Sequence, residues 1–462
     1  LNTLEFPKDN GNFTDDEFTV GKGRTFKGLM SVNVLLVWGQ MPALTLDDLR
    51  KAVPKAGFFA DREWIWSPEP FQLSKAQRKT LTRLGHPLHR FQQASDEIYR
   101  LSGEGRRPAW IAKLLDAGKP DWMIAHQRSE RQRGIIPRVI RPDLLLTEDG
   151  FSASELDAVP GGIGTLGWLS QAYAAAGFEI FGGAKGMLEG FASLFDGEGA
   201  DILVSEESGD YRPEMDWLAG ELGEGFSVHE AESWSPGERE AYRFFELYDW
   251  KSIPAIRDLA ASGKVTPPLK PHFEEKLWLA LFWTPSLRKV WESELRGSHL
   301  QMLKKVIPYG WPVDPAEIPP HAAIPRLEVS SWDEVGEFSQ KDRRLVLKVS
   351  GFSELAWGSR GVTIGHDEPS SEWQRLVSEA QAEFETQPRV MQEFQETKLI
   401  EHPYFDPETG ERRLMVGRVR LCPYYFVDRE GQTKMGGCLA TIVPADKKKI
   451  HGMRDGVLVP CM

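Results

Sequence analysis

The sequence predicts an α/β protein of mixed, α+β character, on three observations. Between residues 178 and 233, short strand-like runs alternate with helical ones. Helical patterns flank that stretch on both sides. From about residue 320 the pattern turns strand-like again. A chain of 462 residues has room for roughly three domains at about 150 residues each.

The elements follow in order. The first thirty residues are polar and Gly-rich and are expected to cover a surface. Residues 43–120 read as helices broken by Pro and Gly, among them ALTLDDLRKAV and SKAQRKTLTRLGHPLHRFQQASDEIYRLSG. Trp64, Trp66 and Phe71 are expected to pack. FEIFGG (178–183), ADILVSEES (200–208) and GFSVHEAES (225–233) read as strands, with AKGMLEGFASLF and YRPEMDWLAGELG as helices between them. That alternation implies a small parallel sheet. EREAYRFFELYDW and EEKLWLALFW read as helices, and the Pro-rich IPPHAAIPRL (318–327) as a linker. RLVLKVS, RVMQEF, RRLMVGRVRLCPYYFV and GGCLATIVP read as strands.

Composition narrows the function classes. The net charge of −12 argues against holding nucleic acid by general phosphate attraction, though not against a local basic pocket. No apolar run reaches the roughly 18 residues of a membrane span, so no membrane partner is expected. The first ten residues show no basic or apolar segment, and no signal peptide is expected. Cys422, Cys438 and Cys461 are the only cysteines, too few for a disulfide scaffold, so a reducing cytoplasm is expected. Cys422 and Cys438 lie on apolar strands and read as core. No His or Cys pair has zinc-ligand spacing, and no G-x-S-x-G occurs. The Lys447–Lys449 run reads as a solvated face.

RPDLLLTEDGFSASELDAVPGG (141–162) is the most informative segment. Two strand-like runs flank Glu148-Asp149-Gly150. A three-residue hairpin loop ending on a left-handed Gly150 pairs Asp143 with Glu155 and Arg141 with Asp157. Alternation then puts all four on one face. Like charges directly opposite repel, so a divalent cation held by oxygen ligands would let such a cluster persist. A solvated hairpin with exposed charges is the alternative. A two-residue Asp-Gly turn would put Asp143 and Glu155 on opposite faces.

A second segment, RLVLKVSGFSELAWGSRGVTIG (344–365), has an apolar strand reaching Lys348 and then a loop with Gly351, Gly358, Gly361 and Gly365. Glycines admit phosphate oxygens close to a backbone, and a strand-end lysine acts on them as a point charge. No Walker A pattern is present. An ordinary surface loop with an incidental lysine is the alternative.

In this order, these segments resemble the circularly permuted ATP-grasp proteins, notably glutathionylspermidine synthase-like proteins and bacterial members of unassigned substrate. The resemblance runs from about residue 140 to the C-terminus. It implies a permuted ATP-grasp fold with an inserted, Rossmann-like pre-ATP-grasp unit and a helical N-terminal region. The implied division is 1–135 (mainly helical), 136–165 (the acidic hairpin), 166–265 (the small parallel unit) and 266–462 (the rest of the nucleotide-binding domain). It implies Mg²⁺, with Mn²⁺ as a substitute, on Asp143, Glu155 and Asp157, where Asp157 stands in place of the usual Asn. Arg141 would contact the transferring phosphoryl group. Lys304, with Lys305 as rival, and Lys348 would hold ATP phosphates under the loop of Gly351, Gly358 and Gly361. Gln392, Glu393 and Phe394 would form the adenine hinge, and Arg420 and Arg454 would contact substrate or phosphate.

The implied activity is ADP-forming ligation of a small-molecule carboxylate to an amine through an acyl phosphate. Two rivals stand beside it. One is an ATP-binding protein of this fold without ligase chemistry. The other is a dinucleotide-dependent oxidoreductase, because Gly162-Ile163-Gly164-Thr165-Leu166-Gly167 matches G-x-G-x-x-G. Glu179 stands near the required distance, but inside FEIFGG rather than at its end.

Overall fold

The computed structural model describes residues 44–54, 65–197, 199–319, 322–356, 358, 360–450 and 456–462. The expectations for the first thirty residues, Trp64 and Arg454 lie outside them.

Among the described residues, the strands form three sheets. They are β1 (Val139–Thr147), β2 (Gly150–Asp157), β3 (Ala200–Val204), β4 (Phe226–Glu230), β5 (Glu240–Phe244), β6 (Val265–Thr266) and β7 (Gly310–Pro312). These are followed by β8 (Leu345–Val349), β9 (Val362–Ile364), β10 (Arg389–Glu393), β11 (Leu399–Phe405), β12 (Arg412–Val427), β13 (Thr433–Pro444) and β14 (Val457–Pro460). The large antiparallel sheet runs β14-β13-β12-β1-β2, with β11 also on β12. A smaller antiparallel sheet runs β7-β10-β8-β9, and a parallel one runs β4-β3-β5-β6.

Burial patterns explain the placement. The first half of β12 opens with three exposed residues and then alternates, while its second half is buried from Leu421 on. That second half is covered on both faces. Helix Lys75–Gly103 starts at a reciprocal cap between Ser74 and Gln77, a device worth about 1 kcal/mol. It runs unbroken through Gly85 and Pro87, as the single helical run read from Ser74 to Gly103 expects. Tertiary packing accounts for the glycine. A Cβ on Gly85 would lie 2.4 Å from the Tyr425 ring, and the Tyr425 hydroxyl donates to the Leu81 carbonyl at 2.6 Å. An alanine at Gly85 would gain about 1 kcal/mol of helix propensity and lose more to that overlap.

Three expectations change. FEIFGG is not a strand, because Gly182 and Gly183 take positive φ (101° and 84°) and end the extended run; its Phe181 amide donates to the Cys461 carbonyl. EREAYRFFELYDW forms β5 and a 3-10 turn rather than one helix; its alternating aromatics pair in parallel with β3. In the Pro-rich stretch, Ile324 is buried in the core of the small antiparallel sheet, and the Trp311 indole donates to the Pro325 carbonyl. That stretch packs against the sheet instead of acting as a free spacer.

Candidate active site

The hairpin β1–β2 places its charged residues as the sequence pattern requires, by a different turn. Thr147 pairs with Gly150, so the loop is Glu148-Asp149 and is one residue shorter than expected. Gly150 does carry a positive φ of 136°. A bulge at Ser154 then restores the missing residue, and Asp143 faces Glu155 while Arg141 faces Asp157. A bulge turns a backbone group out of the ladder. Here the Ser154 carbonyl accepts a hydrogen bond from Lys348 Nζ at 2.7 Å.

Every carboxylate of this cluster has a cation. Arg141 Nε lies 3.0 Å from Asp143 Oδ1, and its Nη2 lies 2.7 Å from Asp157 Oδ2. Arg420, on β12, reaches Asp143 Oδ2 at 2.9 Å. Lys276 Nζ lies 2.6 Å from Glu155 Oε1. Among the described residues, no three His, Cys, Asp or Glu side chains stand grouped for a metal ion. Two guanidinium groups and one ammonium neutralise the carboxylates. Burial nevertheless pushes the Asp157 carboxyl up, against the pull of Arg141. Burial works against the Arg141 charge too, but Asp143 and Asp157 prevail and hold its value well above the ordinary one.

The opposite wall is the small antiparallel sheet. On β8, Val346 and Lys348 face a cleft while Leu345 and Leu347 enter the sheet's own core. That cleft has a volume of about 190 Å³ and is lined from both walls, by Asp143, Glu155 and Arg420 on one side and Lys276, Lys348 and Gln392 on the other. Lys348 differs from every other cation here. It has no carboxylate at ion-pairing distance among the described residues, and its ammonium meets the Ser154 carbonyl. Burial lowers its pKa to about 8, partly offset by Glu155. A buried ammonium without a counter-ion is costly, and an incoming anion would relieve that cost.

The far end of the cleft is formed by Gln392, Glu393 and Phe394 at the end of β10. The Gln392 Nε2 is buried and has no hydrogen-bond partner. The Phe394 ring meets His366 edge-on at 4.6 Å, with the Arg344 guanidinium 5.4 Å from its centre. Glu393 is engaged by Arg326 at 2.8 Å.

The glycines divide by role. Gly351 packs against backbone, since a Cβ there would lie 2.5 Å from the Glu274 carbonyl. Gly358 takes a φ of 65° and lines the cavity holding Arg141 and Asp157. Gly361 closes the loop base by donating to the Leu355 carbonyl at 2.8 Å.

Some site residues fall elsewhere. Lys304 and Lys305 line an adjoining cavity, which shares Pro308, Glu393 and Thr397 with the cleft but contains neither Asp143 nor Lys348. Lys276 takes the place beside Lys348 that the sequence reading gives to Lys304. Its signal was a charged residue abutting the buried run LWLALFW, where charge is rare unless paired. Lys448 and Lys449 are exposed, as the solvated-face reading expects. Both line the cleft, Lys448 paired with Asp367 and Lys449 donating to the Val362 carbonyl at 2.6 Å. Cys422 and Cys438 are buried core residues, as expected.

The glycine loop at 162–167 is closed to a dinucleotide phosphate. Its helix amides at Gly162 and Thr165 donate to the buried Glu214 carboxylate at 2.7 and 3.1 Å. Gly162 and Gly164 are small because a Cβ would lie 2.5 Å from the Tyr424 hydroxyl and 2.2 Å from the Glu214 carbonyl. The helix Ile163–Ala175 also joins β2 of one sheet to β3 of another, so no βαβ unit forms around it.

No family model and no curated protein matches this sequence. Among solved structures, the chain is similar to a glutathione synthetase-like effector from Globodera pallida, with a TM-score of 0.52 at 10% identity, over 90% of this chain and 93% of that one. It also aligns with a provisional gamma-glutamylcysteine synthetase from Methylobacillus flagellatus, at TM-score 0.40 and 10% identity over 85% and 89% of the two chains, a likeness too low to argue from. The fold is mixed α/β and is similar to that of the glutathione synthetase-like effector. No helix among the described residues is long and apolar enough to cross a membrane.

Proposed function

We propose that the protein is an ADP-forming carboxylate–amine ligase of the circularly permuted ATP-grasp kind, working on small molecules. One observation carries this reading. Lys348 is a buried ammonium without a counter-ion, set in a cleft between a hinge and a wall of carboxylates and guanidinium groups. A nucleoside triphosphate meets all three needs: a base at Gln392–Phe394, phosphates at Lys348 and Lys276, and a γ-phosphoryl group toward Arg141 and Arg420.

Asp143, Glu155 and Asp157 offer only oxygens from one face of the hairpin, the donor chemistry that Mg²⁺ takes. Each is held by a cation, however, and the three are not gathered around an ion position, so an ion would have to displace those cations. Those three would hold the ion, which neutralises phosphate charge when bound. Glu155 must then release Lys276, whose freed ammonium is already inside the cleft. Arg141 holds its charge and stabilises the phosphoryl group passing to the substrate carboxylate. Ion-pairing to both Asp143 and Asp157 fixes its orientation before substrate arrives.

The test is ADP release from Mg²⁺ and ATP across a panel of carboxylic acids, with hydroxylamine as a small nucleophile that traps acyl phosphate. Acid-dependent hydroxamate together with ADP is the expected result. ATP binding with no ADP release for any acid would leave the ATP-binding rival standing.

A further inference from the structure

A second cavity opens from the carboxylate wall toward the parallel sheet. It is lined by Arg141 and Asp157 on the hairpin side and by Tyr211, Phe244, Phe245 and Glu246 on the other. Phe244 ends β5, and Glu246 follows two residues later. Ligands of parallel sheets gather at these C-terminal strand ends. The carboxylates around this cavity are accounted for by cations at Arg141, Arg420 and Lys276. Behind it, Glu274 is held by Arg243 at 2.8 Å. Glu246 alone has no ion pair among the described residues. Burial, and then the neighbouring acid Glu274, push its carboxyl well above the ordinary carboxylate range, and a cation beside it would relieve both.

Resting on the ligase reading, we infer that Glu246 receives the nucleophilic amine, which binds between Glu246 and the aromatic side chains Tyr211, Phe244 and Phe245. The amine is held as an ammonium against the Glu246 carboxylate. As its nitrogen attacks the acyl phosphate, one proton passes to Glu246. The C–N bond forms while the C–O bond to phosphate breaks, and the departing phosphate takes the second proton. The substrate is therefore a primary amine with an apolar stem, not an amide or an alcohol.

The experiment is calorimetric titration of the full chain with primary alkylamines of two to six carbons, compared with potassium chloride. Glu246→Gln is measured beside wild type, with Glu246→Asp as a second variant that keeps the charge, and ATP binding is recorded for each. The expected result is saturable amine binding that weakens tenfold or more in Glu246→Gln, is partly kept in Glu246→Asp, and leaves ATP affinity unchanged. Absent amine binding, or equal binding by wild type and Glu246→Gln, overturns the inference. ATP binding separates the two readings. Glu246-dependent amine binding without ATP binding keeps the amine site but sinks the ligase reading and the attack step with it, and ATP-dependent hydroxamate formation without a Glu246 effect keeps the ligase reading and sinks the amine site.

Discussion

The two walls of the cleft carry their charges in opposite ways. On the large-sheet wall, Asp143, Asp157 and Glu155 are each locked to a guanidinium or ammonium. On the small-sheet wall, Lys348 has only a carbonyl. The first wall is complete without a ligand, and the second is not. Internal ion pairs hold geometry, whereas an unpaired buried cation stores affinity for whatever anion completes it. The contrast separates orienting residues from binding ones, and substitutions on each wall test it.

The largest effect is expected at Arg141. Arg141→Ala is predicted to cut turnover by two to three orders of magnitude, about 2.7–4 kcal/mol in the transition state, with ATP affinity changed only a few-fold. Removing one member of a buried ion pair also destabilises, by about 3–5 kcal/mol, so folded protein is verified by thermal melting and Arg141→Lys is run beside it. Near wild-type turnover in Arg141→Ala would place the phosphoryl contact elsewhere.

Lys348→Met is predicted to weaken ATP binding by roughly ten- to a hundredfold, as loss of a charge-assisted phosphate contact should. Its melting temperature should not fall, because the change removes a desolvated charge. A matching loss of stability would mean that Lys348 is structural, and the two walls would then not differ.

Acidity sharpens the same point. Lys348 lies at about pKa 8 in the folded protein, below the roughly 10.4 of an exposed lysine. Its charge therefore costs stability at neutral pH, a cost relieved as pH rises from about 8 toward 10. Phosphate binding needs the ammonium, so ATP affinity should fall as pH rises through about 8. Calorimetry between pH 6.5 and 9.5 follows this, and a flat profile in wild type would remove Lys348 from the site.

The smallest effect concerns the other lysines. Lys276→Met is expected to weaken ATP about tenfold, while Lys304→Ala should change it less than about threefold, since Lys304 lines the adjoining cavity. The reverse order would return Lys304 to the phosphates.

Much of the carboxylate wall was legible in the chain. Period-two alternation puts Arg141 with Asp143 on one face of their strand and Glu155 with Asp157 on one face of theirs, and the register decides whether the two pairs share a side. The register came out right because a turn one residue tighter than expected is offset by the bulge at Ser154. Local residues do not announce a bulge. That Lys348 and Gln392 stand near the polar ends of apolar strands was also legible. Lys276 and Glu246 were not. Each sits beside an apolar or aromatic run, and its value depends on residues more than 80 positions away, across two sheets. The long helix was legible as one run from Ser74 to Gly103, but the reason for its Gly85, the Tyr425 ring packed against it, was not.

The central claim is that the cleft is built for a nucleoside triphosphate whose phosphates meet Lys348. Calorimetric titration of the full chain with ATP, with and without Mg²⁺ and alongside NADH and NADPH, tests it most directly. The account predicts Mg²⁺-dependent ATP binding that Lys348→Met weakens, and no dinucleotide binding. Folded protein that binds no ATP, or binds NADH instead, would contradict it.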